Sequence, residues 1–150
     1  MRIRADLDGR KHAFIIGSIT CSQFNEPKLI RFLVDTGASL STVLSYDTLR
    51  LGIDCSKLAP SQCSFSTANG RRNAYQLDDV QITLNTNDEP TQQGTVTFSL
   101  RGMPCFAPPS TIDASVVAEE TYSLLGMDVL FLFKKWTFTD NVLILEDGQI

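Results

Sequence analysis

Residues that commonly bind metal ions are scarce in this chain. It has a single histidine, His12, and its four cysteines lie at positions 21, 55, 63 and 105 without a C-x-x-C pair. A structural zinc site needs four histidine or cysteine ligands at short, regular spacings, which this arrangement does not offer. Reduced thiols are predicted because the sequence shows no secretion signal, and the closely spaced Cys55 and Cys63 leave one disulfide open as an alternative.

Long hydrophobic segments are also missing. The longest apolar run near the C-terminal end, residues 129–133, is far shorter than the roughly 20 residues that a membrane-spanning helix needs. Residues 1–10 alternate apolar and charged side chains and contain no apolar core of the kind found in signal peptides. These features predict a cytoplasmic protein that does not act at a membrane.

Positive charge is not in excess. The chain has 13 Lys and Arg against 17 Asp and Glu, so nucleic acid and anionic membrane surfaces are not expected as its main partners. It also lacks a glycine-rich phosphate loop and an acidic cluster with metal-ligand spacing, which argues against nucleotide and metal enzymes. No metal ion and no cofactor is predicted.

The remaining composition is that of an ordinary globular domain. The 150 residues are 43% hydrophobic and 20% charged, which predicts one domain spanning residues 1–150. Segments that alternate or are rich in β-branched residues are separated by turn signals along the whole chain. The predicted strands lie at residues 13–20, 29–34, 41–44, 80–84, 95–100 and 112–118, and on both sides of Asp140–Asn141. The prediction is an all-β fold.

The predicted connections are polar or contain proline. Turns or loops are expected at residues 23–28, 85–94 and 103–110. A short helical turn is expected at residues 45–52, where Gly52 would close it. A short C-terminal helix is expected to start at Met127 and to end at Lys134 and Lys135, whose positive charges suit a helix C-terminus.

One predicted strand runs directly into a small polar loop. Residues 29–34 are mostly apolar and are followed by Asp35-Thr36-Gly37-Ala38-Ser39. A carboxylate at the end of a buried strand is costly unless donors surround it, and this loop offers backbone N–H groups and two hydroxyls. Gly37 and Ala38 also allow another backbone to approach closely. The loop is a candidate for chemistry, and the alternative is an aspartate that only hydrogen-bonds its own turn.

Two other segments carry strong local signals. Strand patterns on either side of Asn69–Gly70 predict a hairpin over residues 63–77, because this dipeptide favours a type I′ turn. Residues 124–126, Leu-Leu-Gly, are typical of a buried strand that ends directly before the C-terminal helix. A surface hairpin without a role and a plain core helix are the alternatives for each segment taken alone.

The order and spacing of these three motifs resemble the retropepsin type of aspartic protease. The resemblance covers roughly residues 13–146 and implies a closed β-barrel-like domain with a flap hairpin and one short C-terminal helix. It implies that Asp35 is the catalytic aspartate, that Thr36 bonds across to a neighbouring loop and that Gly37 helps to bind the substrate backbone. The substrate-binding residues that it implies are Ala38, Ser39, Ala68, Asn69 and Gly70. Residues 124–126 would pack beneath the active-site loop, and the terminal strands near residues 1–7 and 142–146 would form part of a dimer sheet.

The chemistry of this family also implies a stoichiometry. Peptide hydrolysis of this type needs two carboxyl groups that share one proton, one to activate a water and one to donate to the carbonyl oxygen. The chain has one Asp-Thr-Gly, because residues 146–148, Glu-Asp-Gly, lack the threonine and the apolar strand. The prediction is an aspartic endopeptidase that acts on extended polypeptides as a homodimer, with one Asp35 from each subunit. The alternative is a weakly active or inactive module for dimerisation or peptide binding.

Overall fold

Nine β-strands and two short α-helices make up the described part of the chain. The structure is a computed structural model and describes residues 1–67, 70–89, 92–108 and 122–148, with the backbone alone at 25, 63–67, 70–73, 88–89 and 92–93. The strands are β1 (Arg2–Leu7), β2 (Ala13–Cys21), β3 (Phe24–Val34), β4 (Ala59–Thr67), β5 (Gly70–Glu89), β6 (Gln92–Phe106), β7 (Ser123–Leu125), β8 (Lys135–Phe138) and β9 (Val142–Glu146). The helices are α1 (Ser45–Arg50), α2 (Met127–Leu130) and a 3₁₀ turn at Cys55–Lys57. The all-β prediction is confirmed.

The described strands form one mixed sheet. Its main path runs β4, β5, β2, β1, β9, β8, while β3 lies between β2 and β7 and β6 pairs with β5. All pairs are antiparallel except β3 with β7, which is parallel. The expectation of a closed, barrel-like sheet is wrong for this part of the chain. Because β4 and β8 lie at opposite ends of the path and do not pair with each other, the sheet stays open.

Alternating side chains place one face of the sheet against the core. In β1, Ile3 and Ala5 are fully buried, whereas the charged residues between and beside them are exposed. The same alternation in β3 buries Ile30 and Phe32 and exposes Leu29 and Arg31. The largest fully buried side chains are Phe32, Ile3, Ile19, Ile30, Leu77, Ile82, Leu84, Met103, Leu125, Leu130, Leu143 and Leu145. This burial favours the fold through removal of apolar surface from water.

Several predicted elements are present. β2 and β3 form the hairpin expected before Asp35, and β8 and β9 form the pair expected around Asp140–Asn141. Helix α1 coincides with the predicted helical turn, and Gly52 follows it with a φ of 69°, a conformation that glycine adopts without strain. Among the residues described, neither α-helix has the length and apolar character needed to traverse a bilayer.

The connections expected at residues 85–94 and 103–110 are largely strand. β5 continues to Glu89 and β6 begins at Gln92, so the two strands extend into the polar segment that joins them. β6 also passes through Pro104, whose carbonyl accepts a hydrogen bond from the Val43 N–H at 3.0 Å, on the side away from β5. Proline is tolerated there because the N–H it lacks would point away from the β5 ladder.

Three further predictions need correction. The turn between β2 and β3 is at residues 22–23, and residues 24–28 belong to β3. Thr42 and Val43 form isolated bridges to Leu124 and Cys105 in place of a regular strand over residues 41–44. Helix α2 ends at Leu130, so its last turn lacks the two lysines expected there. The strand predicted at residues 112–118 lies outside the described residues.

Three of the four cysteines are described as free thiols. Cys21 and Cys105 are buried and Cys55 is half-buried, while the side chain of Cys63 lies outside the described part of the chain. Burial raises the pKa of the Cys105 thiol to about 12, against a weaker opposing effect of its hydrogen bond with the Thr48 hydroxyl. Cys105 is therefore a protonated, unreactive core residue at neutral pH.

Candidate active site

Asp35 lies where β3 leaves the sheet. The last residues of β3 pair in parallel with β7, with Val34 opposite Leu125. The Asp35 N–H continues this ladder by donating to the Leu125 carbonyl at 3.0 Å. Its carboxylate therefore extends from a backbone that is held by the β3–β7 pair, yet the side chain remains half-buried and open to solvent.

The loop after Asp35 folds back onto its carboxylate. The Gly37 N–H donates to Asp35 Oδ1 at 2.9 Å, and the Ala38 N–H donates to the Asp35 carbonyl at 3.2 Å. Oδ2 has no hydrogen-bond partner among the described residues, and the same holds for the hydroxyl of the exposed Thr36. Gly37 and Ser39 are also exposed. The loop thus orients one oxygen of the carboxylate and leaves the other free.

The loop rests on β7 and α2. Thr42, at the far end of the loop, exchanges two backbone hydrogen bonds of 2.9 Å with Leu124, which places β7 between β3 and the returning chain. The first amides of α2 then donate to the loop: Met127 N–H to the Ala38 carbonyl at 2.8 Å and Asp128 N–H to the Ser39 carbonyl at 3.2 Å. These amides would otherwise lack acceptors at the start of the helix, so the loop carbonyls and the helix N–H groups satisfy each other's hydrogen-bonding capacity.

Gly126 allows this close contact. A Cβ atom added at Gly126 would lie 2.6 Å from the carbonyl carbon of Leu40 and 2.8 Å from the carbonyl oxygen of Ala38. Both neighbours are backbone atoms, so no side-chain rotation would relieve the clash. Residues 124–126 therefore lie beneath the loop, as the resemblance implies, and the glycine is required by contact rather than by an unusual φ.

Ser41 and Asp128 form a polar support that was not predicted from the sequence. Asp128 Oδ1 accepts from the Ser41 hydroxyl at 2.7 Å and from the Ser41 N–H at 2.9 Å. The same Ser41 Oγ accepts from the Gly126 N–H at 2.9 Å. Ser41 is fully buried. An acidic residue in the first turn of a short helix was the available signal, but it names no partner so far along the chain.

Removal of this carboxylate is expected to destabilise the loop. Asp128→Ala would leave two buried donors of Ser41 without an acceptor and lower the free energy of unfolding by about 2 to 3 kcal/mol. Asp128→Asn keeps one acceptor oxygen and should cost about half as much. Urea denaturation measures both effects. A cost of Asp128→Ala that is unchanged in a Ser41→Ala background would show that the two side chains are not coupled.

A second buried network ties α1 to the strands beside Asp35. Asp47, whose side chain is 1% exposed, accepts from the Ser123 hydroxyl at 2.7 Å and from Arg50 at 3.0 Å. Arg50 also donates to the Leu29 carbonyl in β3 at 2.9 Å. The buried charge is thus paired and hydrogen-bonded, as burial of a carboxylate requires. Asp47 lies within the helical turn predicted at residues 45–52, but no role for it was predicted from the sequence.

The hairpin predicted over residues 63–77 is present as β4 and β5. Thr67 pairs with Gly70, so Gly70 begins β5 instead of occupying the turn. Ala68 and Asn69, which connect the two strands, lie outside the described residues. No hydrogen bond between described residues joins this hairpin to the Asp35 loop. The loop that contains Asp35, Thr36, Gly37, Ala38 and Ser39 is therefore hydrogen-bonded to residues 124–128. The described part of the hairpin is not hydrogen-bonded to this loop.

Metal ligands do not converge anywhere in the described part of the chain. No group of three or more histidine, cysteine, aspartate or glutamate side chains in the described ranges could hold a metal ion. The polar groups around Asp35 are backbone amides and hydroxyls, which suit a carboxylate and its hydrogen bonds.

Comparisons with known proteins agree with this geometry. The sequence model of the aspartyl protease family matches residues 22–129, which include the Asp35 loop, the β4–β5 hairpin and β7. No curated protein matches the chain significantly. In structure, the chain is similar to a retropepsin-like aspartic protease from Rickettsia conorii, with a TM-score of 0.58 and 24% sequence identity over 97% of this chain and 98% of that one. The chain therefore belongs to the aspartyl protease family and has the retropepsin-like fold.

Proposed function

We propose that this protein is an aspartic endopeptidase that hydrolyses peptide bonds in extended polypeptides. The observation that carries the proposal is the Asp35 carboxylate, which is half-buried at a strand end, is oriented by the Gly37 N–H at 2.9 Å and keeps Oδ2 free of described partners. A residue kept for packing alone would not need an ionisable group in a loop so fully supported from below.

Two carboxyl groups are needed for the reaction. One acts as the general base that activates a water, and the other donates a proton to the carbonyl oxygen of the scissile bond. Asp128 lies near the loop but does not suit the second role, because its oxygens are occupied by Ser41 and by the Val129 N–H at 3.0 Å. The second carboxyl group is therefore Asp35 of another copy of the chain.

A two-fold contact between Asp35 loops would bring the two carboxylates together. Thr36 and Gly37 are exposed, and the free Thr36 hydroxyl is available to a neighbouring loop. The terminal strands support the contact less than the resemblance implies. β1 and β9 pair with each other over residues 2–6 and 142–146 inside one chain, and β8 covers the other edge of β9.

The substrate would bind as an extended chain over this loop. In the proposal, the β4–β5 hairpin, with Ala68, Asn69 and Gly70 at its tip, closes over the peptide, and Ala38 and Ser39 contact it from below. Leu33 lies two residues before Asp35, so its half-buried side chain is on the same face of β3. This placement favours apolar side chains next to the cleaved bond.

Mixing of subunits tests the shared site. Wild-type protein is mixed with increasing amounts of Asp35→Asn protein at constant total concentration, and cleavage of a peptide library is measured after exchange. If both carboxyl groups are needed, an equal mixture should retain about a quarter of the wild-type rate, because about a quarter of the dimers contain two Asp35 residues.

Retention of about half of the rate would mean that each chain acts alone and would contradict the dimer. Sedimentation of the wild-type protein at the assay concentration should show a dimer. A dimer that cuts no peptide at any pH would instead identify a binding module.

A further inference from the structure

An open pocket of about 420 Å³ lies on the outer face of the sheet, away from the Asp35 loop. Strand β2 pairs with β1 at its start and with β5 near its end, and the pocket occupies the gap where those two neighbours diverge. Its lining residues are Arg4, Asp6, Leu7, Asp8, Phe14, Ile15, Ile16, Arg31, Asn85 and Asn87. Six of these ten residues are polar, and the other four are Leu7, Phe14, Ile15 and Ile16.

The pocket shares a sheet face with Asp35. Side chains two residues apart on a strand point the same way, so Arg31 and Leu33 lie on the face of β3 that ends at Asp35. In the β2–β3 register Phe14 is opposite Leu33, and Ile16 is opposite Arg31. On this face of the sheet, Leu33 and its register partner Phe14 therefore lie between Asp35 and Arg31.

Among the charged residues that line this pocket, Arg31 is the one that lacks a counter-ion in the described part of the chain. Its guanidinium lies 3.8 Å from the centroid of the Phe14 ring, and no described carboxylate pairs with it. Stacking of this kind holds the guanidinium plane and leaves its N–H groups free at the edge.

The other charges in the pocket are already engaged. Arg4 donates to Asp6 at 3.2 Å, while Asp8 accepts from the Arg10 and His12 N–H groups at 2.9 Å each and lies 3.6 Å from the His12 ring. The backbone hydrogen bond from His12 contributes most to a lowered pKa of Asp8, so this carboxylate is ionised and internally satisfied. An added carboxylate would meet Arg31 as its free partner.

We propose that this pocket is a substrate subsite that takes an acidic side chain, with Arg31 as its specificity-determining residue. The inference rests on the proposed peptidase function. Asp35 and Arg31 are four residues apart on an extended strand, which corresponds to about 13 Å. A bound peptide has the same rise per residue, so the acidic side chain would lie about three to five residues from the cleaved bond.

A stretch of substrate fits this surface better than a second copy of the chain does. Ile16 and Leu29, which are 64% and 68% exposed, flank Arg31 and offer apolar contact to an extended peptide. A two-fold contact centred here would place Arg31 against Arg31 of the second copy, and like charges in contact are unfavourable. An acidic peptide avoids that repulsion.

A scanned peptide series tests the proposal. Each peptide has a central Leu–Leu bond in an Ala and Ser background, with Glu or Gln placed at each other position in turn. For the wild-type protein, Glu should exceed Gln by about fivefold in kcat/KM at a distal position, through KM rather than kcat. Arg31→Gln should remove this preference, and Arg31→Glu should favour a Lys peptide at the same position. Arg101→Gln, a change of an exposed arginine on β6, is the matched control and should leave the preference intact.

Binding of the same peptides to Asp35→Asn protein, followed by fluorescence anisotropy, separates the subsite from the peptidase proposal. If no peptide is cut but Glu peptides still bind better through Arg31, the proposed reaction fails and the subsite stands. Equal binding and equal cleavage of Glu and Gln peptides at every position would overturn the subsite. A shift to monomer in Arg31→Glu without a change in peptide preference would instead assign this face to contact between copies.

Discussion

Replacement of Asp35 by asparagine is expected to lower kcat for peptide cleavage by at least about a thousandfold, with the fold intact. Asparagine has nearly the same shape as aspartate and can still accept the Gly37 N–H that now meets Oδ1 at 2.9 Å. It cannot take a proton from the attacking water, so the general base is lost in both subunits. The measurement is the rate of cleavage of a peptide library by each protein from acidic to neutral pH.

The wild-type profile should be bell-shaped, because a dyad works only while one carboxyl group is ionised and the other protonated. Asp140→Asn is the matched control: this aspartate is exposed in the turn between β8 and β9, and its loss should leave the rate unchanged. Substantial cleavage by Asp35→Asn with the wild-type pH profile would contradict an aspartic mechanism at this loop.

Substitution of Gly126 by alanine is expected to disrupt the site without touching Asp35. The new methyl group would meet the backbone of Leu40 at 2.6 Å and the Ala38 carbonyl at 2.8 Å. The loop would have to move off α2 and lose the hydrogen bonds that Met127 and Asp128 donate to it. We expect the free energy of unfolding to fall by about 3 kcal/mol, together with most of the peptidase activity.

Gly9→Ala provides the matched control for that substitution. A Cβ atom at Gly9 has no heavy atom within 4 Å, so this variant should keep the stability and activity of the wild type. Thermal or urea unfolding of the two variants, followed by the peptide assay, gives the comparison. If Gly126→Ala were as stable as Gly9→Ala, the tight contact beneath the loop would not be required.

The local sequence pattern was enough to predict most strands but not the residues at which they end. The hairpin of β2 and β3 is predictable because burial of one face leaves an alternation that can be read along the chain. Residues 85–87, Asn-Thr-Asn, carry no such pattern, yet they extend β5 because β6 provides a hydrogen-bonded partner there. Pairing with a partner strand therefore decided where these two strands end.

In the candidate site too, the sequence predicts the local elements but not the contacts between them. An apolar strand that ends in Asp35-Thr36-Gly37 shows by itself where a carboxylate would be exposed in a tight loop, and Leu124-Leu125-Gly126 shows a second buried strand end. The contact between these two strand ends could not be predicted from the sequence. It depends on the parallel pairing of β3 with β7, two segments that lie far apart in the chain.

The sequence by itself determined that Asp35 follows a buried strand, that glycine and small residues surround it, and that one chain carries one such aspartate. Only the tertiary structure decided that Asp128 holds Ser41, 87 residues away, and that Arg31 stacks on Phe14 over an open pocket. The physical reason is the distance along the chain over which each kind of interaction acts. Strand ends and turns follow from the conformational preferences of neighbouring residues, whereas partners for a buried hydroxyl or an uncompensated charge come from whichever strands the whole sheet places side by side.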